Sequence, residues 1–178
     1  MRQITLDIYK FSELSDKAKK RALEDERPFH PLDEWWDVQY EDAANIGLKI
    51  TGFDIDRRND CKGEFTLSAE EVAANILRDH GDVCDTYKAA ESYLEKQQVA
   101  LAEYLEEEAK EDGDRDTLYE KVDVLIAIAD KFLKELCDCY WKALCTDYDL
   151  YTSDEAIIEH IEANEYEFTK SGKRFLLS

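Results

Sequence analysis

Residues 84–145 decide the fold, and they read CDTYKAAESYLEKQQVALAEYLEEEAKEDGDRDTLYEKVDVLIAIADKFLKELCDCYWKALC. Apolar and aromatic side chains recur there at alternating spacings of three and four residues, which is typical of a helix with one apolar stripe. The repeating positions are Tyr87, Ala90, Leu94, Gln97, Leu101 and Tyr104, then Leu118, Val122, Leu125, Ala129, Phe132, Leu136, Cys139 and Ala143. The polar residues 111–116 separate the two runs. The stretch therefore predicts a long antiparallel αα-hairpin over about residues 84–146.

Helix-capping residues predict two shorter helices before the hairpin. Ser12 or Ser15 is placed to cap a helix that runs to about Glu26. A second helix is predicted over residues 31–46, because a proline stands at its first position and Gly47 follows its last.

Three capping boxes mark further helix starts. In this motif a Ser or Thr side chain and a Glu three residues later bond each other's backbone amides. The pairs are Ser68 with Glu71, Thr117 with Glu120, and Thr152 with Glu155. They predict helices that begin near residues 69, 117 and 153.

Alternating or β-rich segments predict a small antiparallel sheet. Residues 4–8 alternate in polarity, residues 48–56 and 62–67 flank a polar loop, and Ser171–Gly172 suits the turn of a C-terminal hairpin. The sheet combines the first strand with the 48–67 hairpin, and the C-terminal hairpin could extend it. The predicted fold class is α+β: a helix-rich single domain, residues 1–178, with a small antiparallel sheet and the long αα-hairpin.

The charge of the chain bears most directly on function. Its 43 acidic and 23 basic side chains give a formal net charge of -20. Such a surplus repels nucleic acid and anionic membranes, and it attracts partners that carry a basic groove. We therefore expect no direct nucleic-acid binding, no membrane binding, and a basic, nucleic-acid-binding protein as partner.

The sequence predicts a cytoplasmic protein with reduced thiols. Its first residues contain no apolar run of signal-peptide length, and no later stretch reaches the roughly 20 apolar residues of a membrane span. The five cysteines are odd in number and irregular in spacing, which argues against a disulfide framework.

No motif predicts catalysis, a cofactor or a metal site. Cys137 and Cys139 are two residues apart and point about 200° from each other on a helix, so they cannot share one zinc ion with Cys145. Asp54–Asp60 is only loosely similar to a calcium loop, because the mid-loop glycine is missing. The histidines at positions 30, 80 and 160 stand apart from any nucleophile motif. We predict that the protein is not an enzyme.

Rows of carboxylates predict a partner-binding surface. Side chains three or four residues apart on a helix lie roughly 5–6 Å from each other. A row of carboxylates at this spacing has a charge density not far from that of a phosphate backbone, which rises about 3.4 Å per nucleotide. Trp35, beside Trp36, is a candidate aromatic anchor. The predicted partner-binding residues are Asp33, Trp35, Asp37, Glu41, Glu103, Glu107, Glu111, Glu155, Glu159 and Glu162. The alternatives are a solvated acidic surface and indoles that pack in the core.

Several segments of the chain also carry a family resemblance. They are IYKFSELSDKAK (8–19), Trp35–Trp36 with YEDA (40–43), GFDID (52–56), TSDEA (152–156) and NEYEF (164–168). With them the chain resembles, over most of its length, a widespread group of bacteriophage and prophage proteins, some of them labelled antitoxin-like. The resemblance implies a phage origin and a bacterial host cytoplasm. It implies no activity and no catalytic residues.

Two functional hypotheses follow. The first is a phage inhibitor of a host nucleic-acid-handling defence system, of the anti-CRISPR or anti-restriction type, that occupies a basic groove. The second is an antitoxin-like or regulatory protein that binds a toxin or host factor through aromatic and apolar anchors. Apolar residues beyond the helical seam, Ile126 and Leu133 among them, leave the choice open between a monomer and a homodimer.

Overall fold

The computed structural model describes residues 7–27, 34–110 and 114–176. The predicted single domain divides into two compact units: one uses both ends of the chain, up to Trp35 and from Thr146, and the other is the continuous stretch Trp36–Cys145. Each described unit contains helices and one two-stranded antiparallel sheet. The predicted helix-rich α+β class is confirmed. The predicted single sheet is wrong, because the first described strand pairs with the last one and the 48–67 hairpin forms a sheet of its own.

The first unit is built on two helices and a short sheet. Its elements are β1 (Tyr9–Lys10), a 3₁₀ turn (Phe11–Glu13), α1 (Asp16–Glu26), α6 (Asp154–Ala163) and β4 (Glu167–Phe168). β1 pairs with β4, so Tyr9 lies opposite Phe168. The apolar faces of α1 and α6 close a core around Phe168, whose ring centre lies 6.2 Å from that of Phe11.

Of the two serines predicted as alternative caps of the first helix, Ser15 is the one that caps α1. Its hydroxyl accepts a hydrogen bond from the backbone N–H of Ala18 at 3.4 Å. The strand predicted over residues 4–8 is displaced: in the described residues the first strand is Tyr9–Lys10, and Ile8 is 41% exposed. Ile4 and Leu6 lie outside the described residues.

The predicted C-terminal turn at Ser171–Gly172 is confirmed. The N–H of Thr169 donates to the carbonyl of Lys173 at 2.8 Å, and that of Phe175 donates to the carbonyl of Glu167 at 2.7 Å. Gly172 has φ +84° and packs against the backbone of Ala18. Leu177, predicted in the same hairpin, lies outside the described residues.

The second unit places a β-hairpin and two helices against the long hairpin. Its elements are α2 (Asp37–Ile46), β2 (Leu48–Asp54), β3 (Asp60–Phe65), α3 (Ala69–Asp79), α4 (Asp85–Glu108) and α5 (Arg115–Tyr151), of which the last residues belong to the first unit. β2 and β3 pair antiparallel, with Leu48 opposite Phe65. Ser68 and Glu71 form the predicted capping box of α3, and Gly47 ends α2 with φ +92° as predicted.

One predicted helix start and two predicted capping residues are wrong. α2 begins at Asp37 instead of residue 31, and the left-handed conformation of Glu34, with φ 70°, is incompatible with a helix running through it. At the start of α5, the carboxylate of Asp114, rather than Thr117, accepts the backbone N–H of Asp116 at 3.3 Å. α6 is capped by Ser153, whose hydroxyl accepts the N–H of Ala156 at 3.2 Å. The predicted cap, Thr152, instead donates to the carbonyl of Tyr148.

The antiparallel αα-hairpin is confirmed by contacts along its length. Lys142 Nζ lies 3.6 Å from an Asp85 carboxylate oxygen, and Lys121 Nζ lies 3.3 Å from Glu103. Between these ion pairs the rings of Tyr93 and Phe132 stack, with their centres 4.4 Å apart. We call residues 85–98 and 129–145 the proximal half of the hairpin, and residues 99–108 and 115–128 the distal half.

The rest of the second unit packs on the proximal half. Phe65 of β3 packs on Phe132 at 5.7 Å. The Tyr140 hydroxyl donates to Asp42 of α2 at 2.7 Å, and the Trp141 indole N–H donates to the carbonyl of Asp54 at 3.3 Å. In the distal half, Ala100 is the only buried residue. The described helices include none with the length and apolar character to cross a membrane.

Candidate partner-binding surface

The three predicted carboxylate rows differ in how much of each remains on an open helix face. On α2, Asp37 and Glu41 are exposed one turn apart. Asp33 lies outside the described residues, and since α2 begins at Asp37, the helical row predicted from Asp33 is reduced to these two carboxylates.

The row on α6 is complete. Glu155, Glu159 and Glu162 are all exposed, because Ile157 and Ile161 turn the opposite face of the helix into the core of the first unit. Spacings of four and three residues place the three carboxylates along one stripe. Glu162 also stands at the wall of a 570 Å³ cavity in the first unit.

The row on α4 is partly neutralised. Glu103 is paired with Lys121 at 3.3 Å, and Glu107 is paired with Lys110 at 2.6 Å and keeps only 14% of its side chain exposed. Glu111 lies outside the described residues. This row therefore presents less free negative charge than its spacing alone indicates.

The prediction missed the acidic side chains around the α4 row. Exposed carboxylates also occur on both helices of the distal half; they are Glu106, Glu108, Asp116, Glu120 and Asp123. In the sequence, residues 99–128 hold ten acidic and three basic side chains, whereas residues 129–145 hold three of each. A charge count over shorter windows would have located this concentration.

The two adjacent tryptophans lie in different surroundings and are both half-buried. The Trp35 ring centre is 5.5 Å from that of Tyr148, within the first unit. Trp36 precedes α2, and its ring centre lies 5.9 Å from that of Phe53, within the second unit. Trp35 thus combines an internal aromatic contact with partial exposure, so only part of its side chain is exposed for the predicted role of an aromatic anchor.

The exposed apolar side chains lie elsewhere, and many lie in the distal half of the hairpin. Val99, Leu105, Val124 and Ile126 are each exposed by half or more of their surface. Between α4 and α5 lies a groove of 430 Å³, which is lined by Val99, Ala100, Val124 and Ile128 together with Glu95, Lys96 and Glu103 of α4. This surface combines apolar contact area with negative charge.

Residues considered for metal binding have structural contacts instead. The Asp54 carboxylate accepts the backbone N–H groups of Arg57 and Asp56, at 2.8 and 2.9 Å. These hydrogen bonds, that of Arg57 first, lower the pKa of Asp54. Among the residues that the structure describes, no three His, Cys, Asp or Glu side chains are grouped to hold a metal ion.

His80 connects helices of the second unit. Its Nδ1 lies 2.7 Å from the Thr86 hydroxyl and its Nε2 lies 3.6 Å from Asp42. Asp42 also accepts the Tyr140 hydroxyl, and burial followed by this hydrogen bond raises the pKa of Tyr140. The arrangement links α2, α4 and α5 through a polar network whose phenol is 2% exposed.

The cysteines differ strongly in environment. Cys61 and Cys137 are buried, and a hydrogen bond between their side chains, together with burial, raises the pKa of Cys61. Burial, followed by the nearby charge of Asp85, raises the pKa of Cys139 to about 11. Cys84 is exposed.

We expect iodoacetamide at pH 8 to alkylate Cys84 first. Cys61 and Cys137 are shielded, and Cys139 is mostly protonated because the pH lies well below its pKa of about 11. Peptide mass spectrometry after timed quenching measures the order, with urea-unfolded protein as the control in which all thiols react at similar rates. Modification of Cys61 as fast as that of Cys84 would contradict the arrangement.

The chain was compared with family models, with curated proteins and with solved structures. No family model matches it, and neither a curated protein nor a solved structure does.

Proposed function

We propose that this protein is a non-enzymatic phage protein that binds a basic, nucleic-acid-binding host protein and inhibits a defence system of the anti-CRISPR or anti-restriction type. Its exposed carboxylates occupy a groove of the host protein that otherwise takes nucleic acid. The observation that carries the proposal is the concentration of acidic side chains on exposed helix faces, within a chain of net charge -20.

The geometry of the carboxylates supports competition with nucleic acid. On α6, three exposed carboxylates share one stripe at helical spacing, so neighbours are roughly 5–6 Å apart. A basic groove that binds one nucleic-acid strand, with a rise of about 3.4 Å per phosphate along the helix axis, meets a comparable line of charges on this surface. The field of the whole chain accelerates association with such a groove.

Binding of this kind should weaken strongly with salt. We expect the dissociation constant to rise at least tenfold between 0.1 M and 1 M NaCl, because the screening length falls from about 10 Å to about 3 Å. The measurement is a pull-down from bacterial lysate at both concentrations. Titration of the purified captured protein follows, with a DNA duplex as competitor. A complex that survives 1 M NaCl unchanged, or that binds DNA simultaneously, would refute competition for a basic groove.

A matched pair of variants distinguishes binding through one defined surface from an effect of net charge alone. The triple variant Asp116→Asn, Glu120→Gln and Asp123→Asn removes three exposed carboxylates from α5. The control, Asp16→Asn, Glu24→Gln and Asp25→Asn, removes three exposed carboxylates from α1 and gives the same net charge. If only the first variant binds more weakly, the contact lies on the hairpin. If both variants are weakened equally, the effect comes from overall charge.

The antitoxin-like alternative is favoured by one observation, the exposed apolar side chains of the distal half. In that case affinity depends on a few anchors and changes little with salt. The same pull-down decides between the two functions: binding that is insensitive to salt but lost with Trp35→Ala supports the alternative.

A further inference from the structure

The distal half of the hairpin carries apolar side chains that the protein leaves exposed. In the proximal half, Phe132, Leu136 and Tyr140 of α5 are each at most 2% exposed. About two turns earlier on the same helix, Val124 is 50% exposed, and Val99 of α4 is 61% exposed. Phe132 contacts β3 and Tyr140 contacts α2 in the proximal half, whereas these two valines keep at least half of their surface exposed.

The groove between α4 and α5 gives this uncovered surface a shape. It measures 430 Å³, its apolar lining includes Val99, Val124 and Ile128, and its charged lining consists of Glu95, Lys96 and Glu103 of α4. The α5 part of the distal half, residues 115–128, is about 21 Å long at about 1.5 Å per residue. A helix of about 14 residues matches that length.

The charge of the distal half identifies the kind of helix. Seven acidic and two basic side chains fall within the distal half, residues 99–108 and 115–128. Two copies of this chain that paired through their distal halves would bring two such surfaces together, and like charges repel at short range. A helix with Lys or Arg beside its apolar stripe meets a surface of opposite net charge.

We propose that the groove of the distal half binds a basic amphipathic α-helix of a partner protein. Its apolar side chains, spaced three and four residues apart, pack on Val99, Val124 and Ile128, and its Lys or Arg side chains face Glu95 and Glu103. This mode of helix recognition combines apolar anchors with charged flanks. The inference rests on the proposed function in one respect, the basic character of the partner.

The test uses the full chain and three synthetic peptides of 18 residues. The first carries Leu at helical spacing with Lys at its flanks, the second has the same composition in scrambled order, and the third replaces Lys with Glu. Fluorescence anisotropy measures affinity, and amide hydrogen exchange maps the contact. We expect the first peptide to bind at least tenfold more tightly than the scrambled one, the Glu peptide to show no binding, and protection to appear within residues 99–108 and 115–128.

A matched pair of variants tests the groove itself. Val99→Ser with Val124→Ser removes apolar contact area, whereas Val38→Ser makes the same change at an exposed helical position on α2. Valine and serine have similar helix propensities, so both variants retain their helices, which circular dichroism verifies. We expect the double variant to weaken peptide binding at least tenfold and Val38→Ser to change it less than twofold.

Other outcomes overturn the proposal. Equal binding of the ordered and scrambled peptides would reduce the effect to charge, and protection outside the distal half would place the contact elsewhere. A dimer in light scattering that Val99→Ser with Val124→Ser dissociates would make a second copy the occupant. Because no host protein or DNA is present, peptide binding and competition with DNA can fail independently of each other.

Discussion

Replacing Phe132 with alanine is expected to lower the free energy of unfolding of the second unit by about 3–5 kcal/mol. The ring is 1% exposed, stacks on Tyr93 at 4.4 Å and packs against Phe65 at 5.7 Å. It thus joins α4, α5 and β3, and its removal leaves a cavity where three elements meet. Urea denaturation followed by circular dichroism measures the change.

Tyr119→Ala is the matched control for this prediction. It truncates an aromatic side chain on the same helix, but Tyr119 is 69% exposed. Its effect should stay within about 0.5 kcal/mol, as for most surface substitutions. Similar losses for the two variants would mean that Phe132 does not hold the elements together.

Replacing Gly172 with alanine is expected to destabilise the first unit by roughly 2–5 kcal/mol, from left-handed strain and from overpacking. The residue has φ +84°, and an added Cβ would lie 2.1 Å from the carbonyl oxygen of Ala18. That neighbour is backbone of α1, so either the helix or the turn must move. Thermal unfolding measures the loss.

Gly52→Ala provides the comparison, because an added Cβ at Gly52 meets no atom within 4 Å and its φ lies outside the left-handed range. We expect a change below about 1 kcal/mol there, in either direction. A loss at Gly52 equal to that at Gly172 would show that the close approach to Ala18 is unimportant.

The sequence predicted the features of the fold that depend only on neighbouring residues, such as helix caps. Ser15, Gly47 and the Ser68–Glu71 box act as caps where the sequence places them, because each requires only its own neighbours. Where two adjacent residues have equivalent capping chemistry, the sequence does not choose between them. Ser153 therefore caps α6 in place of Thr152.

The hydrophobic pattern did not predict which distant segments of the chain contact each other. The hydrophobic repeat of α5 is nearly uniform, so it predicts one continuous seam. Which half of that seam is buried depends on where α2 and β3 pack, as in the contact of Phe65 with Phe132. The pairing of Glu103 with Lys121 likewise depends on the register of α4 and α5. The charges of the candidate surface were predictable, but their accessibility was not.

The division of the first unit between the two ends of the chain affects how the protein folds on the ribosome. Tyr9 of β1 pairs with Phe168 of β4, and at about 5–20 residues per second this partner is synthesised roughly 10–30 s later. The continuous stretch 36–145 is synthesised in between, so all segments of the second unit are made before Phe168. Until residues 157–168 are synthesised, Phe11 and Leu14 lack the Ile157, Ile161 and Phe168 side chains that bury them. The segment made first in the first unit therefore obtains its core last.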